Sequence, residues 1–177
     1  FHVTRFDLIA ESLYDNLGRI YLSQQRAADA LALCTEWVRA VPGTVAGRVM
    51  LGELLLQAGR TADAGAQFEV ALRTAPDDPG AQLGNAWVLR ANGDYGAALR
   101  RFRGRADGPS GVQALFGAGL CLMDLQRWGE AEQTFREVLR RQPDYWQALG
   151  NLAAACDRGG RVEEARRAYE QLLARRP

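Results

Sequence analysis

The side chains able to do chemistry are few and scattered. A single histidine, His2, stands near the start of the 177-residue chain, and Cys34, Cys121 and Cys156 are far apart in no paired spacing. Such spacing gives neither a zinc ligand set nor a disulfide framework, and each cysteine lacks a histidine base. Reduced thiols packed as small hydrophobes are therefore expected. The acid pairs Asp77–Asp78 and Glu163–Glu164 are adjacent in sequence and belong to a turn and a helix start. No phosphate-loop glycine pattern is present. The reading is a non-enzyme, with no catalytic residue, metal or cofactor.

Charge narrows the partners. The 22 basic residues are all arginine, and against 21 acids they leave a formal net charge of +1. That field is too weak to hold a nucleic-acid backbone or an anionic membrane without strong clustering. The one cluster, Arg100, Arg101, Arg103 and Arg105, lacks the alternating aromatics a single-strand binder needs, so a solvated outer face is expected. No apolar run nears the roughly 20 residues that span a bilayer, and the start resembles no signal peptide. No nucleic-acid partner is expected, and no membrane insertion by this segment. A signal or anchor ahead of Phe1 would change the compartment, for which the cytoplasm is otherwise favoured. The absence of lysine and the near absence of isoleucine point to a GC-rich, bacterial genome.

The elements that position these side chains repeat. Prolines recur at Pro42, Pro76, Pro109, Pro143 and Pro177, and five segments align on that frame: 11–44, 45–78, 79–111, 112–145 and 146–177. The twentieth position of each is alanine (Ala30, Ala64, Ala98, Ala131, Ala165). The twenty-fourth is Cys34, Phe68, Phe102, Phe135 or Tyr169, and the eighth is always glycine or alanine. Small residues let two antiparallel helices approach while the ring fills the space beside them. Gly59, Gly93 and Gly159–Gly160 mark the turn between the helices, with Gln25 and Gln126 in the other two repeats. Asp77, Asp78 and Asp144 follow prolines and are expected to cap the next helix.

This pattern resembles the tetratricopeptide repeat family, most closely in the first segment at Tyr14, Leu17, Gly18, Tyr21, Ala30 and Pro42. The resemblance covers residues 11–177 and implies an all-α solenoid, a right-handed superhelix of five helix-turn-helix units. The third unit departs most, with Gln82 and Asn85 at usually apolar positions and Gly104 in or after a shortened second helix. Residues 1–10 are read as an extension of the first helix covering the open end, with Phe6, Ile9, Leu13 and Leu17 at helical spacing and Thr4 as a cap. Pro177 falls where a sixth unit would begin, which predicts a longer natural protein. Leu172 and Leu173 would face that missing unit, so self-association through the open C-terminal end is expected.

A helical wheel puts one face of each first helix opposite the packed side. The resemblance makes that face a concave ligand groove, binding a protein or peptide. Its residues are Asn16, Arg19, Val49, Met50, Glu53, Leu83, Trp87, Phe116, Leu120, Met123, Asn151 and Arg158, apolar in the middle and polar at the ends. Gly84 and Gly117 are expected to leave room there for the partner. The function expected is a protein-interaction scaffold. The alternatives are a recruiting arm of a larger enzyme, secretion or membrane-anchored protein, and a self-assembling structural unit.

Overall fold

The computed structural model describes residues 5–108 and 110–174; Thr4, Pro109 and Pro177 lie outside them, as do the side chains of residues 5–8. The described residues form ten helices in sequential pairs. They are α1 (Arg5–Ser23), α2 (Ala27–Ala40), α3 (Val45–Gln57), α4 (Thr61–Thr74), α5 (Pro79–Ala91), α6 (Tyr95–Arg103), α7 (Gly111–Asp124), α8 (Trp128–Arg141), α9 (Trp146–Arg158) and α10 (Val162–Ala174).

The turn inside each pair follows one chemical plan. Gln25, Gly59, Gly93, Gln126 and Gly160 all have positive φ, between 57° and 85°. That left-handed residue lets the following N–H reach back five residues: Arg26 donates to the Tyr21 carbonyl at 2.9 Å. Arg60, Arg127 and Arg161 donate to Leu55, Leu122 and Cys156, each at 2.8 Å. The same arginines then grip the next helix, Arg26 on Asp29, Arg60 on Asp63 and Arg127 on Glu130.

Between pairs, side-chain caps start the helix. Thr44 accepts the Gly47 N–H at 3.0 Å, and Asp78 accepts that of Ala81 at 2.8 Å, with Pro79 opening α5. Asp144 does not cap α9 as expected. Tyr145 intervenes at the cap position, and no side chain accepts a bond there. Gly104 lies at the C-cap of α6, not in its interior, and α6 is nine residues long.

The chain forms two compact bodies, Phe1–Asn92 and Gly93–Pro177. In the first, Ala30, Cys34, Leu51, Leu54, Leu55, Ala64, Phe68 and Val88 make the core, and Trp37 is fully buried beneath a stacked Tyr14. In the second, Phe102, Leu122, Phe135 and Val138 are buried, and Leu149, Ala153 and Ala168 pack with Leu139, Leu152 and Leu172. The three cysteines are free and buried, and burial pushes the Cys34 thiol up to about 11, with help from Asp15.

The N-terminal stretch extends α1 from Arg5, but Ile9 and Leu13 are 55% and 65% exposed and Leu17 is open as well. The matching Leu51 of the second pair is buried in the core with Ala30 and Cys34 of the first, and the first pair has no predecessor among the described residues. At the other end Leu172 turns into the core beside Gly150, while Leu173 stays exposed.

Candidate functional site

Within the first body, the backbones of α1 and α3, and of α3 and α5, approach closely, whereas those of α2 and α4 do not among the described residues. Close inner helices and splayed outer ones curve the α1–α3–α5 face inward. A cavity of about 310 Å³ opens there, lined by Asp15, Arg19, Ala46, Val49, Met50, Glu53, Asp78 and Gly80. Four residues expected at the groove, Arg19, Val49, Met50 and Glu53, thus meet at one concavity. Val49 and Met50 lean on the core and keep part of their surface open. Met50 Sδ also fills the space a methyl at Gly18 would need, 2.8 Å away.

The polar groups are unequally satisfied. Asp15 accepts a 2.9 Å bond from Arg19 Nε, and Asp78 is engaged by the Ala81 N–H. Glu53 makes no hydrogen bond or ion pair among the described residues. Its side chain is open to water, yet the curved wall crowds its carboxyl enough that desolvation holds the pKa above the usual carboxylate range. Open surface combined with lost hydration is what a concave wall imposes on a charge.

The other expected residues have varied settings. Asn16 is exposed and donates to Ser12 Oγ at 3.4 Å; Leu83 and Trp87 are half-buried on α5. In the second body Leu120 and Met123 are half-buried on α7. Phe116 packs between Phe135 and Tyr145, with ring centroids 5.9 and 4.9 Å away, so part of it belongs to an aromatic cluster. Asn151 donates to the Gln147 carbonyl at 2.8 Å, and the Arg158 guanidinium lies 5.4 Å over the Trp128 ring. The room expected at Gly84 and Gly117 is already taken. A methyl on Gly84 would lie 2.2 Å from the Phe68 ring, and one on Gly117 would lie 2.6 Å from that of Phe102. These glycines serve helix approach and not a ligand.

One polar constellation was missed by the sequence reading. Glu132 on α8 is buried, 5% exposed, and both Arg136 and Arg161 bear on its carboxylate. Arg136 also holds Glu164 at 2.5 Å, tying α8 to α10. The ligand atoms of Glu132, Cys156 and Glu164 lie within 4.8 Å of one another. Two guanidiniums already supply the positive charge these carboxylates need, so the cluster reads as a buried ionic clasp. Its signal was legible: the same repeat position is Leu31, Gly65 and Leu99 in the first three repeats. The arginine run behaves as expected, exposed at Arg100, Arg101 and Arg103, with Arg103 on Glu130 at 3.1 Å. No helix among the described residues is long and apolar enough to cross a membrane.

Comparison with known proteins agrees with this architecture. The family profile described as tetratricopeptide repeat matches residues 16–79, 83–143 and 122–177. The chain is 34% identical over 110 residues to the Protein CTR9 homolog of Arabidopsis thaliana, covering 61% of this chain but only 10% of that protein. Among solved structures, it resembles pilF of Pseudomonas aeruginosa with a TM-score of 0.81, at 15% identity over 98% of this chain and 79% of the other. MamA from Desulfovibrio magneticus RS-1 gives 0.73 at 19% identity, covering 93% and 94% of the two chains. YrrB, titled a TPR protein with an unusual peptide-binding site, gives 0.63 at 20% identity over 91% and 84%. At these identities the structures establish the fold alone.

Proposed function

The chain belongs to the tetratricopeptide repeat family, and from that premise we propose that it is a non-catalytic scaffold that holds a partner peptide on the concave face of α1, α3 and α5. The observation that carries the reading is the cavity of about 310 Å³ on that face, whose apolar lining is Ala46, Val49, Met50 and Gly80. Apolar side chains half-open in a concavity gain by being covered, at about 25 cal/mol per Å² of surface removed from water. Five units spanning 11–44, 45–78, 79–111, 112–145 and 146–177 are part of the proposal, with Leu83, Trp87, Phe116, Leu120, Met123, Asn16, Asn151 and Arg158 as further inner-face positions. The matched stretch is a tenth of the Protein CTR9 homolog, which favours a recruiting module within a larger assembly.

The test fills the groove without touching the core. Ala46 is exposed and lines the cavity, so Ala46→Trp should leave the helices intact. Peptides selected from a random displayed library against the chain are expected to bind Ala46→Trp at least about tenfold more weakly, with an unchanged far-ultraviolet circular dichroism spectrum. Equal binding to both proteins would remove the groove from the proposal.

A second reading, self-association, is favoured by another observation. Ile9, Leu13, Leu17 and Ile20 leave an exposed apolar stripe on α1, bordering a cavity of about 380 Å³ lined in part by Leu33 and Val41.

A further inference from the structure

Resting on the reading of the α1–α3–α5 face as a peptide groove, we infer that the groove accepts a basic side chain, arginine or lysine, flanked by apolar residues of the partner. The apolar lining suits a long aliphatic stem: Ala46, Val49, Met50 and Gly80 present carbon, and such stems bury well beneath a charged head. The charged lining selects the head. Three carboxylates, Asp15, Glu53 and Asp78, line the cavity with one guanidinium, Arg19.

Those four groups are not equivalent. Arg19 and Asp15 neutralise each other from the same helix, and Asp78 is spent on the first turn of α5. Glu53 alone has no partner among the described residues, and it projects from the middle helix of the three. A cation entering over Val49 and Met50 would reach Glu53 with its stem already covered. A carboxylate or phosphate on the partner would instead meet an excess of negative charge, so the asymmetry excludes as well as selects.

A larger concavity of the same body shows no such bias. The groove of about 910 Å³ between α2 and α4 is rimmed by Glu36 and Asp63 against Arg39 and Arg60, two of each sign. Charge there selects no partner. The inner groove therefore has a preferred occupant and the outer one does not.

The experiment uses the full 177-residue chain and random twelve-residue displayed peptides, selected in parallel against wild type and Glu53→Gln. Glutamine keeps the shape and helix preference at an exposed position, and circular dichroism verifies the fold. Wild-type pools are expected to be enriched in arginine or lysine beside apolar residues, and Glu53→Gln pools to lose that enrichment. Replacing the selected arginine by neutral citrulline should weaken binding to wild type at least about tenfold, and to Glu53→Gln less than about twofold. Equal basic content in the two pools, or a citrulline effect that survives in Glu53→Gln, overturns the inference. If the pools also bind Ala46→Trp as well as wild type, the groove reading falls with it. If Ala46→Trp abolishes binding of peptides without basic bias, the groove stands and only the inference fails.

Discussion

Glu53 has a thermodynamic signature independent of any ligand. Its carboxyl is raised by loss of hydration against the concave wall. A carboxyl raised on folding holds its proton more tightly in the folded chain than in the unfolded one. Stability is therefore fully retained below the unfolded value and lost as pH climbs through the folded one. Glu53→Gln removes that loss. The variant is expected to melt at a higher temperature than wild type at about pH 7, with the gain fading to nothing below about pH 4. Scanning calorimetry across that range checks it, and a gain independent of pH would mean that something other than ionisation is at work. Binding of a basic partner should draw the pKa back down and release a proton, since the cation restores what the wall removed.

Each hairpin turn depends on one left-handed residue, and three of the five are glycine. Gln25 and Gln126 occupy the same backbone region at φ of 59° and 57°, where a Cβ crowds the following carbonyl. Gln126→Gly should relieve that crowding, offset in part by the freedom glycine gains when unfolded. A net stabilisation of about 0.5–1 kcal/mol is expected by chemical denaturation. Gly59→Gln is the reciprocal change and should cost about as much. The turns were readable as turns because glycine marks three of them; the shared handedness of the glutamines was not, since nothing in a glutamine announces positive φ. The arginine after three of the turns, Arg26, Arg60 and Arg127, clips an acid three residues on, a recurring pattern that sequence periodicity contained, while Arg161 turns back to Glu132 on α8.

A chain built from nearest-neighbour pairs buries each face only where a neighbour exists. Along α1 the stripe Ile9, Leu13, Leu17 and Ile20 is exposed, and on α10 Leu173 is 63% exposed. The 177-residue chain made by itself is expected to associate as its concentration rises. Sedimentation velocity should show the average mass falling toward the monomer in Leu13→Glu, and further when Leu173→Glu is added. Wild type that stays monomeric across the range would set the self-association reading aside and leave the peptide groove as the function.

The sequence alone determined the all-α class, the helix pairing and the packing register. Alanine at Ala30, Ala64, Ala98, Ala131 and Ala165 and the ring at Phe68, Phe102 and Phe135 are buried as their spacing requires. Those features are set by contacts within a pair and to the next pair, and a repeat states them several times over. Which residues of the inner face stay open was decided only by tertiary structure. The wheel assigns an angle to each Cα but says nothing of side-chain reach or local curvature. Phe116 therefore leans into Phe135 and Tyr145, Gly84 and Gly117 disappear beneath rings from the preceding pair, and Glu132 is drawn inward by two arginines. Glu53 looked like one more polar residue on a trough wall. Its lack of a partner and its lost hydration arise from where α1 and α5 stand beside α3, which no local pattern encodes.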